Sequence, residues 1–258
     1  MITAGIDAGS RAIKIVVFDT DQGTMLASAI CDQGVDQRKL AFALLERLLE
    51  ENKIKRNDVG RMIASGYGRH LLDFCDSTIT EISCHAAGVA YHLDSIETII
   101  DIGGQDSKLI RLSQNGKVRD FAMNDRCAAG TGRFLEVVSE RLNVPLEQLG
   151  SYAQNSQDPA VISSMCVVFA ETEIIGLLAS GESRENIIAG VQKSIAKRLL
   201  AMAGNDVKAP IVFTGGVALV SGMKEMFDEL LNESVTICSQ PHLTGALGAA
   251  ILAGRNGS

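Results

Sequence analysis

The chain has 258 residues, 46% hydrophobic and 21% charged, a balance that fits a well-packed soluble protein with room for one large domain or two ordinary ones. A net charge of −7 and a pI near 5.2, without a basic cluster or an aromatic stacking motif, argue against nucleic acid as the main partner. No apolar run reaches the roughly 20 residues that span a bilayer, Met1 leads straight into an apolar strand, and six cysteines lack any C-x-x-C spacing, so the expected setting is the cytoplasm, with no membrane partner and no disulfide framework.

In chain order, residues 2–8, 12–19 and 24–31 predict a three-strand meander, bent at Asp7-Ala-Gly-Ser-Arg-Ala-Ile-Lys14 and at Asp21-Gln-Gly23. Asp36 should cap a helix whose Leu40, Leu44, Leu45, Leu48 and Leu49 recur at helical spacing. Val59 to Ser65 reads as a strand ending in Gly66-Tyr-Gly68 and Thr78 to Ile82 as another, and Ser83 reads as the cap of a small-residue helix, Cys84 to Leu93. The meander then returns at 97–102, 106–112 and 117–123, around Asp101-Ile-Gly-Gly-Gln-Asp-Ser-Lys108. Helices are expected at about Ala128 to Arg141, Cys166 to Ala179 and Ser183 to Ala203, and a strand at Pro210 to Val217. A helix around Ser221 to Leu231, a strand at Val235 to Ser239 and a second small-residue helix at Thr244 to Ile251 complete the chain. The two small-residue helices close the two halves and suggest a hinge.

The two glycine turns overlay, 94 residues apart, with Asp7 on Asp101, Gly9 on Gly103, Lys14 on Lys108 and Ile15 on Leu109. This reads as an internal duplication, with two unrelated glycine hairpins as the plain alternative. Each turn suits a phosphate: glycines let backbone N–H groups approach an anion, the carboxylate can hold a hydrated Mg2+, and the lysine adds charge. No G-x-x-x-x-G-K-[ST] occurs, and no G-x-G-x-x-G follows a strand, which disfavours P-loop and Rossmann alternatives. Cys127 and Cys166 each stand just before a helix start, where the positive helix end favours a thiolate. On the residues alone they read as buried structural thiols or as a nucleophile, although no histidine lies near either in sequence.

The phosphate turns, the strand ending in Thr214-Gly-Gly216 and the paired small-residue helices resemble the actin, sugar-kinase and heat-shock-chaperone ATPase superfamily, in which two ribonuclease-H-like lobes clamp ATP. More closely, Ala64-Ser-Gly-Tyr-Gly-Arg69, Glu81-Ile-Ser-Cys-His-Ala86, Ile100-Asp-Ile-Gly-Gly-Gln-Asp106, Met123-Asn-Asp-Arg-Cys-Ala-Ala-Gly-Thr-Gly-Arg-Phe134, Val168-Phe-Ala-Glu171 and Thr214-Gly-Gly-Val-Ala218 resemble the activator ATPases of 2-hydroxyacyl-CoA dehydratases, a family that includes ATPase subunits of benzoyl-CoA reductase. The resemblance spans essentially the full chain. It implies an α/β fold of two ribonuclease-H-like lobes. Residues 1–94 would form the first, with the C-terminal helix 242–258 packed back on it; residues 95–241 would form the second, with a cluster-bearing helical insertion at about 124–180.

The resemblance further implies a homodimer sharing one 4Fe-4S cluster on Cys127 and Cys166 of each chain, leaving Cys31, Cys75, Cys84 and Cys238 as packing residues in strands or helices. An electron would come from reduced ferredoxin or flavodoxin. ATP hydrolysis, by changing the angle between the lobes and the cluster-bearing helices, would drive it to a dehydratase or a related double-cubane iron-sulfur protein. Asp7 and Asp101 would hold Mg2+ through water; Gly9, Ser10, Gly103 and Gly104 would cradle the phosphates of ATP or ADP; Lys14 would neutralise charge. Gln105 would orient the attacking water, and Gly215 and Gly216 would let adenosine lie on the backbone. Asp106, Ser107 and Lys108 are read as shaping the turn only. One departure is Val217-Ala-Leu-Val-Ser221, where the family pattern continues Val-Ala-Gln-Asn. The alternatives are a sugar or acyl kinase, or a regulatory ATP-binding protein, of the same superfamily without a cluster.

Overall fold

The structure is a computed structural model and describes residues 1–164, 166–204 and 206–255; positions 256–258 of the expected C-terminal helix and Met165 of the cysteine motif lie outside the described residues. Contacts divide the chain into two compact units. The first is Met1–Asp94 with Gly116–Val118 and the segment from His242 onward; the second is Ser95–Asn115 with Arg119–Pro241.

The first unit begins with the expected meander, β1 (Ile2–Ala8), β2 (Ala12–Asp19) and β3 (Thr24–Asp32). Then come α1 (Gln37–Glu51), β4 (Val59–Ser65), β5 (Ser77–Thr78) and α2 (Glu81–His92). Asp36 caps α1 as expected, its carboxylate accepting the Lys39 N–H at 3.0 Å. The strand expected at Thr78 to Ile82 stops at Thr78 instead. Thr80 is the cap of α2, with its hydroxyl oxygen accepting from Ser83 N–H at 3.4 Å, so Glu81 and Ile82 belong to the helix.

The sheet order is β3-β2-β1-β4-β5, with β1 antiparallel to β2 and parallel to β4. Alternate strand residues feed opposite faces: Ile13, Ile15 and Val17 join Leu44, Leu45, Leu48 and Leu49 of α1 in one core cluster. Val16 and Phe18 meet Ala246, Leu247 and Ala250 on the other face.

The second unit repeats the plan with β6 (Thr98–Ile102), β7 (Ser107–Leu112) and β8 (Val118–Asn124). Helices α3 (Gly132–Leu142), α4 (Leu149–Gln154), α5 (Val167–Ala179) and α6 (Arg184–Ala203) precede β9 (Ile211–Thr214), α7 (Met223–Leu231) and β10 (Val235–Ile237). Its sheet order, β10-β9-β6-β7-β8, is the first order element for element, which carries the duplication well beyond the turns. The helix expected from Ala128 is a 3-10 turn, Ala128–Gly130, followed by α3; the extended backbone of Thr131 separates them. The six-residue α4 was not anticipated.

The last helix, α8 (Thr244–Gly254), lies in the first unit with α2. These are the two small-residue helices, and they cross at backbone contact. A β-carbon on Gly248 would lie 1.7 Å from Cys84 O, and one on Gly88 would lie 2.0 Å from Thr244 O.

Candidate functional site

In the first unit, Asp7 closes β1 and Lys14 stands opposite it on β2, the two being direct cross-strand partners. Lys14 Nζ donates to Asp7 Oδ2 at 3.2 Å. The turn between them is tied by Gly9 N–H to Ala12 O at 3.1 Å, while Gln33 Nε2 donates to Gly9 O at 2.7 Å. Glycine is required at Gly9, because a β-carbon would sit 2.9 Å from both Ala12 O and Lys14 Nζ.

The second unit builds the same site from the same parts. Asp101 and Lys108 are cross-strand partners, and Lys108 Nζ donates to Asp101 Oδ2 at 3.1 Å. Gly103 N–H bonds Asp106 O at 2.9 Å, as Gly9 does Ala12 O. One difference is burial: Lys108 is 1% exposed and also donates to Asp106 Oδ2 at 2.8 Å, so its ammonium faces two carboxylates. Lys108 and Asp106 thus belong to the charge arrangement of the turn, which the sequence reading withheld from them although Lys108 overlaid Lys14. The N–H groups of Gly9 and Gly103 are both engaged within their turns, while Ser10 is half-buried and Gln105 exposed in the turns themselves.

A second parallel escaped the sequence. Gly66 follows β4 beside Asp7, and Gly215 follows β9 beside Asp101, in matching parallel registers, Asp7 with Ser65 and Asp101 with Thr214. Both glycines have positive φ, +86° and +87°. A β-carbon on Gly66 would lie 2.4 Å from Asp7 Oδ1, and one on Gly215 would lie 2.3 Å from Ile102 O and 2.8 Å from Asp101 Oδ1. Gly215 therefore lets the neighbouring strand end against the acidic turn, and the exposed Gly216 opens the short turn Gly216–Leu219. Leu219, in the departure from the family pattern, is exposed. Two further groups near Asp7 were missed: the Gly245 position lies beside both Asp7 Oδ2 and the buried His85 Nε2, at 3.3 and 3.4 Å from a β-carbon built there. His85 Nδ1 is 3.0 Å from Thr244 Oγ1.

The cysteines singled out in sequence do stand at helix starts. Cys127, half-buried, caps the 3-10 turn before α3, and the Asn124 side chain holds its backbone from both sides, accepting from Cys127 N–H at 3.0 Å and donating to Cys127 O at 2.7 Å. Cys166, exposed, is the N-cap of α5. The first residues of α3 are fastened to the second glycine turn: Gly132 N–H donates to Gly103 O and Arg133 N–H to Gly104 O, both at 2.9 Å.

Comparison with known proteins places this arrangement. A sequence profile described as the BadF/BadG/BcrA/BcrD ATPase family matches residues 4–253. The chain belongs to that family. Among its relatives, the activator of lactoyl-CoA dehydratase from Anaerotignum propionicum is 41% identical over 98% of this chain and 97% of its own. The activator of 2-hydroxyisocaproyl-CoA dehydratase from Clostridium difficile, solved with bound ADPNP, is 40% identical with a TM-score of 0.89, covering 98% of this chain and 94% of that one. Component A of the Acidaminococcus fermentans (R)-2-hydroxyglutaryl-CoA dehydratase is 36% identical with a TM-score of 0.91, covering 98% and 97%. The fold is accordingly the actin-like one that the turns suggested.

Within this family frame the remaining thiols separate from the two at helix starts. Burial first pushes Cys75 and Cys84 up to about 12 and Cys238 up to about 11, and also raises Cys31, so these sulfurs stay protonated at neutral pH. Cys31 and Cys84 lie in β3 and α2, whereas Cys75 lies in a bend and Cys238 follows β10, outside the strands and helices expected for them. Among the described residues no group of three or more His, Cys, Asp or Glu side chains is placed to hold a metal ion. A cubane takes about four thiolates, and Cys127 and Cys166 would supply two from one chain. No described helix is long and apolar enough to cross a membrane.

Proposed function

We propose that this protein is an ATP-driven one-electron activator, working as a homodimer that shares one 4Fe-4S cluster on Cys127 and Cys166 of each chain. The observation that carries the reading is the pair of hydrogen bonds from Gly132 and Arg133 to the carbonyls of Gly103 and Gly104. Any rearrangement of the second phosphate turn acts directly on the start of α3, five residues after a thiol that Asn124 holds at its backbone. The relatives named as dehydratase activators support a 2-hydroxyacyl-CoA dehydratase, or a related double-cubane iron-sulfur protein, as the electron acceptor. The bound cluster would supply one-electron redox chemistry, with ferredoxin or flavodoxin as donor and the reducing cytoplasm as the setting.

The two units serve as the two ATPase lobes, residues 1–94 with the C-terminal helix and residues 95–241, the latter with its insertion at about 124–180. Asp7 and Asp101 hold Mg2+ through water, each carboxylate oriented by the hydrogen bond from its cross-strand lysine. Because Gly9 and Gly103 use their own N–H groups to close the turns, their part is to shape the phosphate cradle, and the donors to phosphate come from Ser10 and Gly104 onward. Lys14, less buried than Lys108, is the lysine placed to meet phosphate charge; Gln105 orients the attacking water; Gly215 and Gly216 give adenosine access to the backbone.

A dimer also accounts for α5, which presents Val168 and Phe169 at 67% and 70% exposure beside the exposed Cys166. The test is anaerobic purification with iron and sulfide analysis, followed by reconstitution if the protein comes out empty. Four irons and four sulfides per dimer are expected, bleached by dithionite. A protein that stays colourless after reconstitution would return the chain to a cluster-free kinase or regulatory reading.

A further inference from the structure

We propose that Glu173 is the positioning residue of Cys166, clamping the strand of backbone that leads into the thiol; this rests on the cluster reading above. Glu173 lies two helical turns into α5, and its side chain leans back toward the helix start, as helical side chains do. Its Oε1 accepts from Ser163 N–H at 2.9 Å and Ser163 Oγ at 2.7 Å, and its Oε2 accepts from Ser164 N–H at 2.9 Å. Residues 163 and 164 are thereby tied to the second turn of α5, whose N-cap is Cys166.

The carbonyl of Ser164 is held from the opposite side by the Arg198 guanidinium of α6, which Ser194 Oγ also engages at 3.2 Å. Arg198 in turn lines a cavity of about 550 Å³ with Asn124 and Cys127, so α6 runs beside both cysteine segments. Ser164 is thus fixed at both its N–H and its C=O, two residues before Cys166. Burial opposes the charged form of Glu173, yet the bonds from Ser163 and Ser164 outweigh it and bring the carboxyl down to about 2. The clamp is therefore an anion at every working pH, and a neutral replacement of the same shape removes the charge and one acceptor.

The experiment compares Glu173→Gln and Glu173→Asp with the parent protein. Without metal, amide exchange at Ser163 and Ser164 should speed up about tenfold in Glu173→Gln, the loss expected when charge-assisted bonds go. Reconstituted anaerobically, Glu173→Gln should release iron to a chelator several-fold faster and show a changed EPR spectrum on reduction, with nucleotide affinity unaltered; Glu173→Asp should restore part of both. A parent protein that takes up no iron overturns the cluster reading and this role with it. A parent that holds iron, beside a Glu173→Gln that holds it equally long with the same spectrum, overturns the role of Glu173 alone.

Discussion

The two lysines at the acidic glycine turns make the same bond in different surroundings, and that difference decides what each is worth. Lys14 and Asp7 keep 19% and 12% of their side chains exposed, whereas Lys108 and Asp101 keep 2% and 3%. Lys108→Met would remove the buried ammonium that donates to both Asp101 and Asp106, a loss that costs about 3–5 kcal/mol for a buried pair such as Lys108 and Asp101. Lys14→Met, in a pair that keeps more of its side chains exposed, should cost less, about 1–3 kcal/mol. Thermal melts of the two variants check this, and equal melting temperatures would show that burial does not separate the pairs. On the proposed Mg2+ role, Asp101→Ala should cut ATP hydrolysis by about a hundredfold or more while leaving iron content untouched, and undiminished turnover would remove Asp101 from that role. The positions of both lysines were legible in sequence from their shared offset to the aspartate. Their unequal burial was not, because it depends on the long-range packing of the second unit and on Asp106 bending back to the ammonium.

Elements were legible where one local signal governed and illegible where two competed. Both meanders follow from apolar strands interrupted by Gly23 and Gly116, whose φ values of +65° and +73° match the turns expected of them. At Thr78 to Ile82 a β-rich run met a capping threonine, and the cap won; at Ala128 to Arg141 a helical composition was broken at Thr131 as the chain reached the phosphate turn. The equivalence of Gly66 and Gly215 was hidden because only their φ and their closeness to an aspartate match, not their neighbours. Close approach also dictates the crossing of α2 and α8. Gly248→Ala would put a methyl carbon 1.7 Å from Cys84 O and 2.9 Å from Gly88 N, and since both are backbone atoms the helices must separate. A loss of about 1–3 kcal/mol is expected, read as a lowered melting temperature. At the head of α5 the sign of the pH effect is fixed by the lowered carboxyl of Glu173: its stabilisation is complete above the ordinary value of 4.5 and fades as pH falls toward about 2. Amide exchange at Ser163 and Ser164 should therefore show protection unchanged between pH 7 and 5, weakening below 4.5 and lost only near about 2; loss already at pH 5 would mean that the carboxylate is not the clamp.

Across the whole molecule, the duplicated sheet gives each unit an acidic glycine turn, and in the second unit Gly132 and Arg133, five and six residues after Cys127, bond to that turn. The six thiols then fall into classes that chemistry can separate. Cys84 and Cys238 are buried, and with Cys75 their pKa values stand at about 11 to 12, so an alkylating reagent at pH 8 meets almost no thiolate at these three. The same shifts lower stability under alkali, since the unfolded chain releases thiol protons from about pH 9 upward that the folded chain retains until 11 or 12. Cys166, exposed at the start of α5, should label first in the metal-free protein at pH 8, and Cys127, half-buried under the Asn124 bracket, more slowly. Reconstitution with iron and sulfide should then protect these two together, leave the slow labelling of Cys75 and Cys84 as it was, and coincide with a mass in solution of twice the chain. Protection of Cys166 alone would point to a covered surface without a shared cluster, because a cluster bridging two chains needs the second thiol from each to complete its four ligands.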